Sequence, residues 1–444
     1  MKIDSRLTRR RLATALLAGG AMSLAATAQA AIETDDWAIY GQSTLVTQYH
    51  NKFKAPYEGT NSLPNQIEHP ETFDLTAYIG RRLWQGAELW ANPEIDQGFG
   101  IGNTFGVAGY PSGEAYKLGA HHPYFRLPRF FVRQTFNLGG EEREVEGAPN
   151  QFSGKLTEDS VVLTIGKFSI VDIFDTNTYA HDPRGDFLNW SIIDSGAFDY
   201  AGDAWGFTNG AAAEWNTGSW TFRAGYFALS RIPSSIKIDT SFKQTAMIGE
   251  VEKRYQWNDL PGKLKVLVYN NHGRMGAYND AIALANQTAT TPDTSAVRKK
   301  ASQPGYALNW EQAISENAGV FARYSQNQGS KEIFDFTDIN KSLALGTSIH
   351  GNSWGRSDDV VGLAYVANGL SNDAKNYFIA GGTGILIGDG NMNYAPEKIV
   401  EMYYAYRIDP KLSLTLDYQH IQNPAYNVDR GPISIVGARI HIDF

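Results

Sequence analysis

The chain has 444 residues, no cysteine, a formal net charge of −8 and an aromatic content of 12%. This length allows two soluble domains or one large barrel. The acidic balance argues against nucleic acid as a partner, and the lack of cysteine excludes disulfides, which suits an exported barrel held by its ladder of hydrogen bonds.

The first thirty residues read as a secretory signal peptide. Arg9, Arg10 and Arg11 belong to a basic start, an apolar stretch follows, and Ala28-Gln29-Ala30 is a cleavage site of small residues. We therefore expect cleavage after Ala30 and one outer-membrane barrel domain over 31–444. The arginine run also fits twin-arginine export, but a barrel must stay unfolded during export, which favours the general route.

Strand-like alternation of apolar and polar residues runs through the mature chain. In the second predicted strand, Thr72–Trp84, Phe73 and Leu75 face one way, while Asp74 and Thr76 face the other. After the signal peptide no stretch approaches about 18 consecutive apolar residues, so we expect no helical membrane span. An aromatic-rich and glycine-rich chain without a hydropathy peak is typical of a membrane barrel, in which only alternate residues meet lipid.

This alternation predicts sixteen strands, with short helices at Asn279–Asn286 and Asp373–Ile379. The predicted strands are Trp37–Tyr49, Thr72–Trp84, Ala87–Glu94, Arg129–Leu138, Asp159–Lys167, Asp203–Asn216, Ser219–Ser230, Phe242–Gln256, Lys263–Asn271, Ala307–Ile314, Ala318–Gln326, Ser342–Ser353, Asp359–Gly369, Lys398–Ile408, Leu412–Ile421 and Gly431–Phe444.

The lengths of the connections indicate the topology. Nearly every second connection is short and the ones between are long, as in an up-and-down barrel whose short turns lie at the periplasmic rim. We therefore expect an all-β fold, a transmembrane antiparallel up-and-down β-barrel of about sixteen strands with long extracellular loops. The third long loop, Phe168–Gly202, is expected to fold into the lumen.

The last strand fits this architecture. Val436 and Ile440 lie on its apolar side, Arg439 and His441 on its polar side, and the chain ends at the aromatic Phe444. Such a strand suits the closing strand of an outer-membrane barrel, and we expect the barrel-assembly machinery to recognise it. A soluble sandwich could contain the same strand, so this segment alone leaves both alternatives open.

Charged and aromatic side chains are predicted on the inward face of neighbouring strands. Opposed cations and anions around a narrow lumen offer bidentate partners to hydroxyl groups, and an aromatic face beside them suits a sugar ring. The alternative is that these charges pair with each other and brace the wall. The predicted constriction residues are Arg82, Glu88, Trp90, Asn92, Glu94, Arg129 and Arg133, with Trp84 on the same face as Trp90.

The loop Phe168–Gly202 adds the carboxylates of Asp172 and Asp175 to this set. Clustered carboxylates suit calcium, but the spacing of a calcium loop is absent and packing within the loop is favoured. Zinc motifs, a Gly-x-Ser-x-Gly turn and a phosphate-binding loop are also absent. We therefore expect no catalytic residue, no metal and no cofactor.

Three stretches resemble the carbohydrate-selective porins of the OprB type. They are Arg82-Leu-Trp-x-Gly-Ala-Glu-Leu-Trp-x-Asn-Pro-Glu through Tyr116, Gly166–Gly210 with Phe-Asp-Thr-Asn-Thr-Tyr-Ala-His-Asp-Pro-Arg, and Asp417-Tyr-Gln-x-Ile-x-Asn-Pro-Ala-Tyr-Asn-x-Asp-Arg-Gly-Pro. The resemblance spans essentially the mature chain. It implies a sixteen-stranded outer-membrane barrel that passes monosaccharides or similar polar solutes through a channel narrowed by arginines, acids and a nearby aromatic residue.

We therefore expect a porin for small carbohydrates in the outer membrane of a Gram-negative cell, and not an enzyme. Its expected partners are a small sugar, outer-membrane lipid and the assembly machinery, with a homotrimer as the candidate assembly. One alternative is a barrel enzyme acting on lipid, which needs a serine beside the outward His420, and none is obvious in the sequence. The other is an adhesin or secreted β protein without a channel.

Overall fold

The structure is a computed structural model that describes residues 32–444. The predicted signal peptide and Ala31 lie outside the described residues. Residues 32–444 form one antiparallel sheet of seventeen strands. Strands β2 to β17 each pair with their neighbours in the chain, and β17 pairs back with β2, so that sixteen strands close into a barrel. The two-residue strand β1 is added to β2.

The sixteen barrel strands, β2 to β17, agree with the predicted order and number, and the two-residue β1 is additional. Their bounds are β1 Ile32–Glu33, β2 Trp37–His50, β3 Glu71–Trp84, β4 Ala87–Gly98, β5 Ala120–Val145, β6 Gly154–Phe168, β7 Thr208–Thr217, β8 Trp220–Ala228, β9 Thr245–Trp257, β10 Leu260–Met275, β11 Lys299–Ser315, β12 Ala318–Asn327, β13 Lys341–Gly351, β14 Arg356–Gly369, β15 Glu397–Asp409, β16 Leu412–Gln422 and β17 Ile433–Asp443.

The outward positions of the strands are mostly apolar, whereas the inward positions include many polar and charged residues beside buried aromatic ones such as Tyr403. In a soluble protein the outer surface is the polar one. In β16, Leu414 and Leu416 are 36% and 60% exposed, whereas Thr415, Asp417 and Gln419 between and beyond them are buried. An apolar outer belt around a polar interior is the arrangement that lipid requires of a transmembrane barrel. The prediction of a transmembrane barrel is confirmed, and the soluble sandwich is excluded.

The connections alternate in length around the barrel. One rim carries short turns such as 85–86, 218–219 and 410–411, and both ends of the described chain lie there; the other rim carries long loops such as 169–207 and 370–396. The predicted segregation of loop lengths is confirmed. The connection 146–153 lies on the short-turn rim and is longer than its neighbours there.

Three short helices lie in the long connections: α1 Trp190–Ile193, α2 Tyr278–Thr288 and α3 Asn372–Ile379. The helices expected in the two later loops are therefore present; the first is three residues longer than predicted and the second one residue longer. Among residues 32–444, no helix has the length and apolar character needed to cross a membrane.

The predicted strand Arg129–Leu138 is much shorter than β5, which spans Ala120–Val145. The register between β4 and β5 shifts between Asn92 and Glu94, so Asn92 lies opposite Arg129 and Glu94 opposite Arg126. A bulge of this kind changes which residues face inward. The regular alternation of inward and outward residues is therefore interrupted at Pro128, and the sequence pattern did not identify Arg126 as an inward residue.

Two long connections pack against the inward residues of the sheet. In the connection 99–119, the backbone N–H groups of Ala108 and Gly109 donate to the buried carboxylate of Glu397. Residues of the connection 169–207 bond to inward residues of strands far apart around the barrel, which are Glu250 in β9, Asn309 and Glu311 in β11, Arg323 in β12, Glu401 in β15 and Arg439 in β17.

Candidate functional site

Two adjoining cavities lie among the described residues. The upper cavity, about 450 Å³, is lined by residues of the connections 99–119 and 169–207 together with inward residues of β3 and β5. The lower cavity, about 1440 Å³, is lined at the short-turn rim by β5, β6, β8 and β9. Arg133 and Gln151 line both cavities, so the two cavities meet at these side chains.

A bidentate ion pair forms part of the upper cavity wall. The guanidinium of Arg129 donates to both carboxylate oxygens of Asp172, at 2.8 and 2.6 Å, and lies 5.0 Å from the ring centre of Phe207. Asp172 is held in turn by the backbone N–H of Ser169. This fork geometry fixes the guanidinium in one plane. Both predicted residues therefore reach the cavity as a pair.

An aromatic group lies across the same cavity. The rings of Trp190 and Phe336 stack with centres 5.8 Å apart, and Tyr200 lies 4.5 Å from Phe336. Beside them, Nδ1 of His181 and Oδ1 of Asp194 lie 3.9 Å apart, and neither atom has a hydrogen-bond partner within the described chain. These two atoms are buried from solvent. The aromatic faces, together with the Arg129–Asp172 pair of the same cavity, can hold a solute with an apolar face and polar edges.

Two arginines that the sequence did not reveal organise the acidic side of the wall. Arg126 donates to Glu94 at 2.6 Å and to Asp96 at 2.5 Å. Arg184, from the connection 169–207, lies 3.5 Å from a carboxylate oxygen of Glu114. Arg126 was hidden by the bulge in β5, and Arg184 by its place in a loop, where no periodicity indicates direction.

Charges of both signs line the lower cavity in equal number, seven cationic and seven anionic. The cations are Arg82, Arg133, Arg143, Lys155, Arg223, Arg254 and Lys263, and the anions are Glu88, Glu141, Glu142, Glu144, Glu158, Glu214 and Glu252. The predicted residues Arg82, Glu88 and Arg133 are thus part of this wall.

Four predicted constriction residues lie behind the cavity walls. Trp90 is fully buried, with Phe152 packed 5.2 Å from it. Asn92 is fully buried, and Glu94 is bonded to Arg126 and Thr76. Asp175 accepts hydrogen bonds from the backbone and hydroxyl of Ser195, and so braces the connection 169–207.

Trp84 was expected to share a surface with Trp90, and this expectation is wrong. The register between β3 and β4 shifts between Arg82 and Trp84. Trp84 is 64% exposed and its indole N–H donates to Gln134, whereas Trp90 is buried. The bulge at the end of β3 therefore separates the two rings.

On the outer wall, His420 does have a serine beside it, contrary to the sequence analysis. Nδ1 of His420 lies 3.0 Å from Oγ of Ser434, its cross-strand neighbour, and Ser434 also lies 3.1 Å from the hydroxyl of Tyr418. The partner was missed because it lies on the next strand, which a one-dimensional pattern does not align. Within residues 32–444, no group of three or more His, Cys, Asp or Glu side chains is arranged to hold a metal ion.

Comparisons with known proteins agree with this architecture. The fold is similar to that of Pseudomonas putida OprB, with 13% identity, a TM-score of 0.70 and 97% of each chain covered. It is also similar to the outer membrane channel DcaP of Acinetobacter baumannii, with 10% identity, a TM-score of 0.51, and 94% of this chain and 100% of that chain covered. At these identities the similarity concerns the fold.

The sequence comparison identifies the family. No curated protein matched the chain. A family model described as the carbohydrate-selective porin, OprB family, matches residues 60–444, which is most of the chain and includes both cavities. The chain therefore belongs to the OprB family of carbohydrate-selective porins and is an outer-membrane channel for sugars.

Proposed function

We propose that a small neutral sugar crosses the barrel through the upper cavity and then the lower cavity, passing Arg133 at their junction. The observation that carries this proposal is that Arg133 and Gln151 line both cavities. The upper volume, about 450 Å³, falls in the usual range of small-molecule sites, roughly 300–1,000 Å³. The path is thus narrow enough for side chains to contact a monosaccharide.

The upper cavity offers the contacts that a sugar needs. The Trp190–Phe336 stack supplies an apolar face for the C–H side of the ring. Arg129 and Asp172 offer donors and acceptors to its hydroxyl groups, held in place by their own bidentate bond. Because these contacts are few, the solute is bound weakly enough to leave again.

The charge balance of the lower cavity favours a neutral solute. Equal numbers of cations and anions line it, so an ion of either sign meets both attraction and repulsion. Hydroxyl groups can bond to either kind of side chain. This supports sugars and similar uncharged polar solutes as cargo.

The connection 169–207 supports selectivity by narrowing the bore. Its contacts reach inward residues of β9, β12, β15 and β17, which lie at different positions around the closed sheet. A loop that touches so many strands from within has to cross the interior. We infer that it forms the upper constriction, as the sequence analysis expected.

We also propose that the chain is a channel without a catalytic step. The His420–Ser434 pair is the one observation that favours a lipid-cleaving enzyme, but a serine hydrolase also needs a group that orients the imidazole. In the described part of the chain no carboxylate bonds to His420; its partner is Ser434. Fatty acid release from phospholipid vesicles that is lost in Ser434→Ala would support the enzyme instead.

The remaining partners are proposals of the same kind. Exposed apolar residues such as Val268, Met247 and Leu416 support lipid as the surrounding medium. The backbone of Phe444 pairs with Gly41 at the barrel seam, which supports the C-terminal strand as the segment that the assembly machinery recognises. The homotrimer and the removal of residues 1–30 stay predictions from the sequence.

Planar-bilayer recording with sugar titration tests the path. A permeating monosaccharide should reduce the ionic current in a saturable manner, and Trp190→Ala should weaken this block about tenfold, since stacking contributes roughly 0.5–1.5 kcal/mol beyond area burial. Trp215→Ala, which removes an exposed outward ring, is the matched control. Equal block in both variants would refute the aromatic site.

A further inference from the structure

The ends of β5 and β6 form a hairpin, residues 139–158, that differs from every other connection on the short-turn rim. Its neighbours there, such as 85–86, 258–259 and 316–317, are two-residue turns. The hairpin instead carries paired residues from Glu142 opposite Thr157 to Val145 opposite Gly154, and then the connection 146–153. Outer-membrane barrels place this rim on the periplasmic side.

The hairpin bends where it leaves the wall. Gly139 and Gly140 have φ angles of +130° and +88°, a region that side chains disfavour. The register between β5 and β6 also shifts twice, between Asn137 and Gly139 and between Gly139 and Glu142. Consecutive irregularities of this kind turn a strand pair out of the sheet surface.

The tip of the hairpin lies against the inward side chains of β3, β4 and β5. The ring of Phe152 packs 5.2 Å from Trp90. Arg133 donates to the carbonyl of Asn150 at 2.6 Å, and Arg82 donates to the carbonyl of Ser153 at 2.7 Å. The hairpin therefore enters the barrel instead of extending into the periplasm.

Glu33, at the start of the described chain, holds the tip in place. Its carboxylate accepts hydrogen bonds from the backbone N–H and the hydroxyl of Ser153, at 2.9 and 2.5 Å. The hydroxyl of Tyr40 donates to the other oxygen at 2.8 Å, and Arg82 lies 3.6 Å away. This carboxylate thus links β1, β2, β3 and the hairpin.

We propose that hairpin 139–158 is a second constriction element, which enters the channel from the periplasmic rim. Gln151 is its specificity-determining residue, because it lines both cavities. Its side-chain nitrogen donates to the carbonyl of Glu146 at 2.9 Å, which fixes the carboxamide, and its side-chain oxygen can accept from sugar hydroxyls. Glu33 is a positioning residue that acts through Ser153. The inference rests on the proposed two-cavity path and adds a lower gate to the upper loop.

The first test uses the absence of native cysteine, which leaves a single introduced thiol as the only one. Gln151→Cys is treated with a cationic methanethiosulfonate reagent during single-channel recording. We expect the current to fall by about half or more, because the adduct fills the narrow junction. Glu146→Cys, exposed on the same hairpin and lining neither cavity, should change it little. An unchanged current at Gln151→Cys would overturn the proposal.

The second test concerns Glu33. In the Gln151→Cys background, Glu33→Ala removes the acceptors of Ser153 and should reduce the reagent block by about half, whereas Glu33→Gln keeps an acceptor oxygen and should restore it. Glu146→Ala, exposed on the same hairpin and lining neither cavity, is the control. A block equal in Glu33→Ala and Glu146→Ala would overturn the role of Glu33.

Two further measurements distinguish a misfolded variant, or a wrong two-cavity path, from a wrong assignment of the hairpin. Heat-modifiable migration on gels shows whether each variant is a folded barrel. If Glu33→Ala does not fold, the reagent block is compared between Glu33→Gln and Glu33→Asp instead. If sugar blocks the current but the reagent has no effect on Gln151→Cys, the hairpin is not a constriction element, while the two-cavity path is still supported. Loss of sugar block in the native chain would refute the path itself.

Discussion

Arg133 is the side chain at which the two cavities meet, and its position explains why one residue can affect the whole path. It is anchored by the carbonyl of Asn150 and lies 5.5 Å from the ring of Phe131. A cation held at a junction acts on every solute that passes, because the surrounding walls exclude much of the water that would screen it.

Arg133→Ala should raise the single-channel conductance and lower the permeability of anions relative to cations. The reason is that the substitution both widens the junction and removes a positive charge from it. Arg143→Ala removes the same charge from the lower cavity alone and serves as control. Reversal potentials in a salt gradient measure this ratio of anion to cation permeability. Identical ratios for both variants would contradict the position of Arg133 at the junction of the two cavities.

Arg82→Ala should have a smaller effect on conductance than Arg133→Ala. Arg82 lines the lower cavity alone, and its side chain, 38% exposed, is partly screened by water. The two variants are compared by conductance in the same salt. A larger change for Arg82→Ala would show that the narrowest point of the channel lies closer to the short-turn rim than Arg133 does.

Asp194 should make the channel pH-dependent. Burial, followed by repulsion from Asp175, raises the pKa of Asp194 to about 8. The carboxyl is therefore largely neutral at pH 6 and becomes negative as the pH rises through 8. Cation selectivity should increase over this interval, and Asp194→Asn should reduce the increase. Asp335 lines the same cavity and contributes the rest, because burial, followed by repulsion from Asp199, raises its pKa to about 8 as well. A selectivity that is flat with pH in the native chain would contradict the assignment.

At the scale of the elements, the connection 169–207 is fixed by arginines of the wall. Arg439 of β17, buried to 1% exposure, donates to the carbonyls of Pro183, Gly185 and Asp186. Arg323 of β12 donates to the carbonyls of Ile192 and Asp175. A loop held by charged donors at several points is more rigid than its length suggests.

Arg439→Ala should release the segment 183–186 and increase current noise, with a loss of unfolding free energy of about 2–5 kcal/mol, since each hydrogen bond to a charged group contributes roughly 1.5–3 kcal/mol. Lys398→Ala, exposed on β15, should leave both quantities unchanged. Urea titration in vesicles and bilayer recording measure them. Equal noise in the two variants would show that the loop is held by other contacts.

The elements also show what the sequence could and could not predict. Alternation at period two located every barrel strand, because the outer face must be apolar wherever lipid covers it. It did not locate the bulge before Arg129 or the bend at Gly139 and Gly140. Bulges arise from pairing with a neighbouring strand, and loop residues such as Arg184 follow no period at all, so their direction required the three-dimensional structure.

At the scale of the whole molecule, the two faces of one sheet meet different surroundings. The apolar outer belt faces lipid, and the charged inner face lines the bore. Outward Leu416 is 60% exposed, and its inward neighbour Asp417 is 5% exposed. This division places an apolar surface toward lipid, and it excludes the secreted β protein without a membrane.

Leu416→Arg should therefore destabilise the barrel in lipid by about 2–4 kcal/mol, the depth-dependent penalty for arginine on a lipid-facing strand position. Leu416→Val keeps the surface apolar and is the control. Urea unfolding in vesicles gives both values. An arginine tolerated as well as valine would contradict the orientation of β16.

The central claim is that the bore is open to sugars, and liposome swelling tests it most directly. Vesicles that contain the full chain should swell in isotonic monosaccharide, more slowly in a disaccharide, and least in larger oligosaccharides, because the upper cavity of about 450 Å³ limits solute size. Vesicles that fail to swell in any sugar, although they contain a heat-modifiable folded barrel, would contradict the account.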